Sequence, residues 1–452
     1  MSNYNLESFC PEVWSQMMIT STGDYRGCCL ANYSDDNSVA LDENRQPMNI
    51  LTHTWEQAIN SVTHKEHRLA LSRNEKPQKC KNCYDSEEAT GKPSSKRQRV
   101  IRITSASIPQ YVRVEQADGL TAPDGTIEQN IVNLDLRFGN LCNQKCIMCS
   151  PEYSNAWYDD WLDVRPHNKF FPSEYKSYEI FKDEYGRPYS NFPNWWENDI
   201  WWQRFDEIAP QLRYIYFSGG EPFIVPAMLE TLDKLIERGF AKRIQLRYDT
   251  NLSVINDKII DRLKHFKRVM LMASIDDTEE RYELIRFPGN YQRVLDNIQK
   301  LRSQGIELHF ITACIGVASP YVVLRIDELA KKLNIPRKYR FLEGPPWIDI
   351  RQFPKSAKLE IIERYRSAVK EGEDNTWKNA VIRLLEKYIN HSDETQLQEF
   401  VRVMNILDKK RGTNWKSTLH ETYELIATHS PNIDLYRSDN FKYGQNRHAN
   451  DQ

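Results

Sequence analysis

Three cysteines with a C-x3-C-x2-C spacing, Cys142, Cys146 and Cys149, follow directly after an apolar run at residues 131–138. Thiolates are soft ligands, and soft ligands select iron–sulfur clusters, zinc or copper(I). A structural zinc site is closed by four protein ligands, commonly arranged as two pairs. Three cysteines in one loop leave a fourth position open, so on a four-iron cluster one iron would be free to bind a substrate or cofactor. A partial zinc site is the alternative.

A second group of cysteines lies in the first 90 residues and contains Cys10, Cys28, Cys29, Cys80 and Cys83. The C-x2-C spacing of the last two indicates metal ligation or redox chemistry. Four thiolates from this group could hold a zinc ion or a four-iron cluster, and the spacing alone does not decide between them. The ninth cysteine, Cys314, stands within an apolar run, and we expect it to be a small core residue.

The composition is ordinary for a soluble globular protein. Of the 452 residues 40% are apolar and 27% are charged, and the formal net charge is −2, so we expect no general nucleic-acid-binding surface. No apolar run is long enough to cross a bilayer, and the first residues lack the basic and then apolar pattern of a signal peptide. We therefore expect a cytoplasmic protein without a membrane partner. Cellular thiols disfavour a disulfide scaffold in that compartment.

The elements that must position the central cysteines are apolar, β-rich runs that alternate with helical patterns from residue 131 onward. Six runs are candidate strands, at residues 131–138, 212–218, 243–250, 268–275, 307–315 and 338–344. Helical patterns at 227–239, 291–305 and 321–333 lie between them. This alternation indicates a parallel sheet, either doubly wound or closed into a barrel. Six units predict an α/β fold with a partial (β/α)6 TIM-type barrel over residues 131–345.

The rest of the chain divides into four further segments. We predict a cysteine-rich module at 1–95, a linker at 96–130, a helical region at 346–430 and a polar tail at 431–452. Clusters of glycine, proline and polar residues are typical of linkers, and polar termini tend to fray. Chemistry is thus expected in the N-terminal module and the barrel.

An aromatic-rich insert at 153–205 separates the first two predicted strands. One interpretation is an extra helical layer packed by aromatic side chains. The other is a lid or wall over a substrate pocket, because insertions at the carboxyl ends of barrel strands often build the site. Both interpretations can hold at once.

The C-x3-C-x2-C loop directly after the first barrel strand resembles the loop of the radical S-adenosylmethionine (SAM) superfamily. The resemblance implies that Cys142, Cys146 and Cys149 hold a [4Fe–4S] cluster whose remaining iron chelates the amino and carboxylate groups of SAM. Reduction by a donor such as flavodoxin or ferredoxin would then cleave SAM to methionine and a 5′-deoxyadenosyl radical, which abstracts a hydrogen atom from the substrate. Met148 matches the apolar position that packs against the adenine.

Gly219, Gly220 and Glu221 begin a Gly-Gly-Glu-Pro sequence at the end of the second predicted strand. Glycines adopt backbone angles closed to other residues and let the main chain approach a ligand, and an acidic residue beside them can accept from an ammonium group. Alone, this sequence is a weak turn signal. One strand after the cysteine loop, it is similar to the superfamily's GGEP motif, which implies that it receives the amino group of SAM.

Four polar residues near the ends of later strands also match the superfamily's pattern, namely Asn251, Ser274, Asp276 and Arg286. The resemblance implies contacts with the ribose or the carboxylate of SAM. The carboxyl ends of strands are where barrel enzymes assemble their sites. Taken singly, each residue could instead be a helix cap, a turn residue or part of a surface ion pair.

The N-terminal cysteines resemble the twitch module, the shortened form of the SPASM domain, which carries one auxiliary [4Fe–4S] cluster. The match consists of Cys10-x3-Trp14, Gly23-x4-Cys28, a helix with a tryptophan and a closing C-x2-C. The ligands that the resemblance implies are Cys10, Cys28, Cys80 and Cys83. The Gly-x4-Cys spacing selects Cys28 over Cys29.

In the relatives the twitch module follows the barrel, whereas here it precedes the barrel. Order in the chain need not alter the packed arrangement, but residues that contact substrate in the relatives cannot be transferred directly. A structural zinc site is the alternative for this module. A bound auxiliary cluster would accept an electron from the substrate radical or relay electrons to the SAM cluster, and cluster potentials span too wide a range for the sequence to decide.

The resemblance covers about residues 10–90 and 131–345 and implies a radical SAM enzyme. We expect its substrate to be a peptide or peptide-like molecule, as in many twitch and SPASM relatives. One alternative is the dehydrogenation or rearrangement of a small polar metabolite, such as a sugar or nucleotide, stacked on the tryptophans of 195–202. The other is a non-catalytic scaffold that binds a partner through the aromatic insert. No residue stands out in the sequence as the one that quenches a substrate radical.

Overall fold

The computed structural model describes residues 4–31, 39–90, 95–106, 108, 110–173 and 175–439. The strands of these parts are β1 (Gln16–Ile19), β2 (Tyr25–Arg26), β3 (Asn133–Arg137), β4 (Lys169–Ser173), β5 (Lys176–Lys182), β6 (Pro188–Ser190), β7 (Tyr214–Ser218), β8 (Gln245–Thr250), β9 (Arg268–Ser274), β10 (Leu308–Ile315) and β11 (Arg337–Phe341).

The helices of the N-terminal half are α1 (Glu12–Ser15), α2 (Trp55–Ile59), α3 (Val62–Ser72), α4 (Lys81–Thr90), α5 (Lys96–Ala106), α6 (Ala117–Leu120), α7 (Tyr158–Val164) and α8 (Asp199–Ile208). Those of the C-terminal half are α9 (Pro226–Glu237), α10 (Asp257–Leu263), α11 (Glu279–Ile285), α12 (Tyr291–Ser303), α13 (Val322–Leu333), α14 (Lys355–Ser367), α15 (Thr376–Lys387), α16 (Glu394–Arg411), α17 (Trp415–Thr418) and α18 (His420–His429). Single 3₁₀ turns lie at Gln78–Cys80, Val114–Gln116, Asn155–Trp157, Trp195–Glu197, Pro222–Ile224, Ala241–Arg243, Pro346–Ile348 and Ile350–Gln352.

One mixed sheet organises the molecule, in the order β11-β10-β9-β8-β7-β3-β1-β2. Neighbouring strands from β3 to β11 are all parallel, and helices connect them along the chain. This arrangement confirms the predicted six-stranded partial barrel. The predicted strands and barrel helices lie where the hydrophobic pattern placed them, because a parallel strand covered by helices must be apolar on its outer face.

The first barrel strand shows how the two faces of the sheet differ. Leu134 and Leu136 are fully buried beneath the helices, whereas Asp135 points to the other side and lines a large cavity with Tyr216 and Arg247 of the next two strands. Most TIM barrels fill this space with branched apolar side chains. In this protein polar side chains occupy the interior positions of the strands and leave an open cavity, which we call the barrel chamber.

The N-terminal module extends the barrel sheet directly. Strand β1 pairs in parallel with β3, with Gln16 opposite Asn133 and Ile19 opposite Leu136, and β2 returns antiparallel to β1. The cysteine-rich module is therefore attached to the edge of the barrel by backbone hydrogen bonds, although it comes first in the chain.

The segment expected to be a linker contains the helix α5. Arg97 on this helix is buried, pairs with Glu87, and donates to the carbonyl oxygens of Leu6 and Phe9 at 2.8 and 2.9 Å. The charged side chains of this segment made it look like a linker in the sequence. In the structure, Lys96 and Arg97 instead form ion pairs with the N-terminal module. The start of the helix packs with the cysteine-rich module.

The aromatic insert differs in part from the helical layer that we expected. Helices α7 and α8 flank a three-stranded antiparallel sheet in the order β4-β5-β6. Trp195, Trp196 and Trp201 are buried, and Phe138 stacks on Trp195 with ring centroids 5.4 Å apart. These three tryptophans pack the insert against the barrel, which argues against the idea that they stack on a sugar or base.

The C-terminal helices are α14 to α18, and they lie within the segment 346–430. Of the predicted polar tail, residues 440–452 lie outside the described residues. Within the ranges that the structure describes, no helix combines the length and the apolar character needed to cross a membrane.

Candidate functional site

The central cysteines lie in a loop that begins just after β3 and is held by several hydrogen bonds. The Cys149 N–H and the indole N–H of Trp157 both donate to the carbonyl oxygen of Cys146, at 2.9 and 2.8 Å. The Cys142 N–H donates to the side-chain oxygen of Asn155 at 3.0 Å. The aromatic insert thus shapes the loop, and the three thiols gather at the carboxyl ends of the barrel strands.

The three thiols share a buried environment. Burial raises the pKa of the Cys142 thiol to about 12. Burial, and then the negative charges of Cys146 and Cys142, raise the pKa of Cys149 well above its usual range. Several thiolates so close together are unfavourable without a cationic partner, and iron removes that penalty because a coordinating thiol is deprotonated outright. The donor set therefore fits an iron–sulfur cluster.

The Gly-Gly turn packs directly on the cysteine loop. A Cβ atom at Gly220 would lie 2.1 Å from the carbonyl oxygen of Leu141, next to Cys142. Gly219 has a φ of +94°, a conformation that favours glycine. The Glu221 N–H donates to the same Leu141 oxygen at 2.8 Å. Only glycine permits this approach of the turn to the loop.

The Glu221 carboxylate is buried and already accepts hydrogen bonds from protein donors. These are the hydroxyl of Thr250 at 2.7 Å, the N–H of Asn251 at 2.7 Å and the N–H of Phe223 at 3.2 Å. Burial raises its pKa. The side chain thus ties the end of β7 to the end of β8, a structural role that its sequence position does not reveal.

Asn251 connects the end of β8 to the cysteine loop. Its side-chain amide donates to the side-chain oxygen of Asn143 at 3.0 Å, and Asn143 donates in turn to the hydroxyl of Ser253 at 2.8 Å. Asn143 lies between the first two cysteines. No motif in the sequence pointed to this residue.

Asp276 and Arg286 come together beside the cysteines. Arg286 Nη2 lies 2.6 Å from Asp276 Oδ2, and Nη1 lies 3.9 Å from the sulfur of Cys146. Although burial lowers it, the Asp276 carboxylate raises the pKa of Arg286 overall. The Cys314 N–H donates to the other Asp276 oxygen at 2.7 Å. A charged pair is thus fixed at the edge of the predicted cluster site.

A small, mostly apolar cavity adjoins this pair. The residues that line it are Ile147, Met148, Asp276, Ile285, Cys314, Gly316, Ala318, Ser319, Leu342 and Ile348. Met148, the residue for which the resemblance implied an adenine contact, is one of these lining residues. Cys314 lines the cavity from the end of β10, and Ser274, beside Thr312 at the end of β9, is not part of the lining.

The N-terminal cysteines divide between two cavities. One cavity is lined by Cys10, Cys28, Cys80 and Cys83, while Cys29 lines the barrel chamber instead. Burial, followed by the charges of Glu12, Cys80 and Cys83, raises the pKa of Cys10 well above its usual range. Cys28 lines the same cavity as the other three thiols and Cys29 does not, so this donor set fits an auxiliary cluster.

Three residues beside these thiols were not anticipated. His67 Nε2 lies 3.3 Å from the sulfur of Cys80. Lys96 Nζ pairs with Glu12 Oε2 at 2.8 Å and lies 3.4 Å from the sulfur of Cys29. Lys96 falls in the predicted linker, where no motif marked it. In the described ranges no three Cys, His, Asp or Glu side chains converge closely enough to hold one metal ion.

The barrel chamber has a volume of about 820 Å³. It runs between Cys29 of the N-terminal module and Lys96 of α5 on one side and the interior faces of the strands on the other. Volumes of this order are typical of ligand pockets, about 300–1,000 Å³.

Two families match this chain. Residues 136–318 match the radical SAM superfamily, and residues 10–84 match the SPASM iron–sulfur cluster-binding domain. Together the two matches take in more than half of the chain and contain both groups of cysteines. The curated proteins offered no match.

Several solved structures resemble the chain weakly. Native anSMEcpe with bound AdoMet is 15% identical with a TM-score of 0.34, and the match covers 52% of this chain and 60% of that one. Streptococcus suis SuiB bound to S-adenosylmethionine is 13% identical with a TM-score of 0.34, covering 78% of this chain and 68% of that one. The methyltransferase TsrM from Kitasatospora setae is 12% identical with a TM-score of 0.26, covering 32% and 30%.

The cofactors that accompany the matched families are a SAM-binding [4Fe–4S] cluster, an auxiliary [4Fe–4S] cluster and SAM itself. Both groups of thiols have the donor chemistry to hold such clusters. The two family matches support a radical SAM enzyme with a SPASM-type iron–sulfur cluster-binding domain in front of its barrel.

Proposed function

We propose that the protein cleaves SAM reductively and that the resulting radical abstracts a hydrogen atom from a peptide or peptide-like substrate inside the barrel. One observation carries the first part of the proposal. The three-cysteine loop, the Gly219–Gly220 turn and the Asp276–Arg286 pair lie against one another at the carboxyl ends of the strands. Barrel enzymes assemble their sites at that end.

In this proposal Cys142, Cys146 and Cys149 hold the first cluster and leave one iron without a protein ligand. When bound, this cluster supplies the electron that splits SAM into methionine and a 5′-deoxyadenosyl radical. The backbone of the Gly219–Gly220 turn receives the amino group of SAM. The Glu221 carboxylate acts indirectly. It already accepts hydrogen bonds from protein donors, and through them it holds the turn in place.

The remaining predicted contacts orient the rest of SAM. Arg286, which pairs with Asp276, offers a cation for the SAM carboxylate. Asn251 directly follows β8, and Ser274 is the last residue of β9. Met148, at the edge of the small apolar cavity, would contact the adenine. Fixed positions and a dry site are what a reactive radical needs to avoid side reactions.

The second group of thiols would hold the auxiliary cluster through Cys10, Cys28, Cys80 and Cys83. That cluster would lie on one side of the barrel chamber, with the SAM site at the carboxyl ends of the strands. It would accept an electron from the substrate or relay one to the SAM cluster, with flavodoxin or ferredoxin as the proposed external donor.

The open mouth of the chamber favours a peptide over a small metabolite, because an extended chain can enter it from the solvent. Its volume of about 820 Å³ is at the upper end of the usual range for ligand pockets, and exposed residues of α15 such as Arg383 line its mouth. A small polar metabolite remains the second candidate, because Tyr216, Arg247 and other polar groups line the interior.

The test is the formation of 5′-deoxyadenosine from SAM by anaerobically reconstituted, dithionite-reduced protein. Cys146→Ala should abolish the product, because the first cluster loses a ligand. Cys29→Ala is the matched control and should retain the activity, since Cys29 lies outside both proposed ligand sets. Equal product from the wild type and Cys146→Ala would refute the proposal.

Candidate substrates are separated by isotope tracing. A peptide deuterated at the reacting carbon should transfer deuterium into 5′-deoxyadenosine, and a deuterated sugar or nucleotide should not. Transfer from the metabolite alone would replace the peptide with the second candidate.

A further inference from the structure

Basic side chains surround the mouth of the barrel chamber. Arg99 of α5, Lys338 and Arg340 of β11 and Arg383 of α15 all line it. Among the described residues, none of these four has a carboxylate within 4.0 Å. They come from three separate elements that meet only in the folded protein. A group of unpaired cations at a cavity mouth attracts anions.

The positive potential at the mouth lowers the pKa of two titratable groups, Lys338 and His309. Burial, and then the charges of Arg99, Arg340 and Arg247, lower the pKa of Lys338 to about 8, while the charge of Asp249 acts in the opposite direction. Burial, followed by Arg268, Arg247 and Arg99, also lowers the pKa of His309. A bound anion would relieve this mutual repulsion.

Acidic residues near the mouth do not cancel the charge. Asp85 and Glu343 line it but are exposed to solvent, which screens their charge. Glu12 is paired with Lys96, and Asp249 with Arg247 at 3.1 Å. The basic group therefore keeps an excess of positive charge.

The interior of the chamber, in contrast to its basic mouth, contains a buried acidic residue, Asp135. Asp135, in the middle of β3, is 1% exposed, and within the described structure neither of its carboxyl oxygens has a hydrogen-bond partner. It lines the same chamber, level with Tyr216 and Arg247 on the neighbouring strands. A buried polar group without a partner is costly, so a ligand that supplies one would be favoured there.

We propose that the mouth of the chamber is an anion-binding subsite in which Arg99, Lys338 and Arg340 hold a carboxylate or phosphate of the substrate, while the reacting part lies deeper and hydrogen-bonds to Asp135. The inference rests on the proposed function, because it takes the chamber as the substrate site. Joined to that proposal, it assigns as substrate a peptide with acidic residues beside the residue that reacts.

The test measures binding to the anaerobically reconstituted holoenzyme with SAM present, by calorimetry. The probes are a capped tetraglutamate peptide, the matching tetraglutamine peptide and inorganic pyrophosphate. Tetraglutamate should bind at least about tenfold more tightly than tetraglutamine, and added salt should weaken it, as expected for charge-assisted contacts. If neither anionic probe binds more tightly than tetraglutamine, the subsite does not exist.

The variants locate the binding. Lys338→Gln combined with Arg340→Gln should weaken the tetraglutamate complex about tenfold or more. Arg340→Gln alone should give a smaller loss, and this exposed position is safe for folding. The matched control is Arg293→Gln, an exposed arginine on α12 outside the chamber, which should bind like the wild type. Unchanged affinity in the double variant would overturn the inference.

The outcomes separate this inference from the proposed function. If pyrophosphate is the only probe that binds, and the double variant loses this binding, the anion subsite exists. Its substrate would then be a phosphorylated metabolite and not a peptide. The control variant Arg293→Gln, which lies outside the chamber, should cleave SAM to 5′-deoxyadenosine like the wild type. Loss of SAM cleavage in the wild type would instead refute the proposed function, whatever the calorimetry shows.

Discussion

Arg411, at the C-terminal end of α16, donates a hydrogen bond of 2.9 Å to the carbonyl oxygen of Lys145 inside the cysteine loop. The two residues are 266 positions apart. Asp160 of the aromatic insert joins them, because its carboxylate pairs with Arg411 at 2.7 Å and with Lys145 Nζ at 2.7 Å. The C-terminal helices and the insert thus hold the loop that carries the proposed cluster.

Arg411→Met should destabilise the protein by about 3 kcal/mol and reduce the iron retained by the first cluster, because it leaves the buried Asp160 with fewer partners. Anaerobic urea unfolding and iron analysis measure both effects. Arg411→Met with Asp160→Asn should recover part of the stability, since removing both members of a buried pair is often nearly neutral. An unfolding midpoint equal to that of the wild type would contradict the role of Arg411.

Gly220→Ala should impair SAM binding, because the added methyl would meet the Leu141 carbonyl at 2.1 Å and push the turn off the cysteine loop. The measurement is the change in the spectrum of the reduced cluster when SAM is added. Gly119→Ala is the control, as a Cβ there meets nothing within 4 Å. A normal spectral change in Gly220→Ala would show that the close approach is not needed.

Cys28→Ser should lower the iron content from about eight to about four atoms per chain, whereas Cys29→Ser should keep about eight, because four-iron clusters are proposed at both sites. The reason is geometric, since Cys28 and not Cys29 lines the cavity shared by Cys10, Cys80 and Cys83. Iron and sulfide analysis of the anaerobically purified variants checks this. The reverse pattern would make Cys29 the ligand.

Asp135→Asn should become increasingly stabilising relative to the wild type as the pH rises from about 4 to about 8. Burial, and then the charge of Cys29, raise the pKa of Asp135 to about 8, far above the usual value of about 3.9 in an unfolded chain. Between these values the folded state holds a proton that the unfolded state has lost, so wild-type stability falls with pH by at most about 1.4 kcal/mol per unit. The stability difference between the two proteins at several pH values measures the slope. A difference that does not change with pH would mean that Asp135 ionises normally.

Much of the fold and part of the site follow from local patterns. The six barrel strands and the helices between them were predictable, because a parallel sheet covered by helices imposes a run of apolar residues on each strand. The buried charges were not predictable. Lys96, Asp160 and Arg411 look like ordinary surface residues in the sequence, and their pairing depends on segments that are far apart along the chain.

The sequence by itself determined that three thiols share one loop, that a Gly-Gly-Glu turn follows one strand later, and that a second group of cysteines lies near the N-terminus. Spacing of a few residues is a local property, and local backbone geometry keeps such residues together. Only the tertiary structure decided that β1 pairs with β3 and that Cys28 and Cys29 line different cavities. It also decided that the Glu221 carboxylate accepts a hydrogen bond from the N–H of Asn251, directly after β8. These features depend on strand pairing and on which face of the sheet a side chain occupies, and both are set by contacts between distant segments.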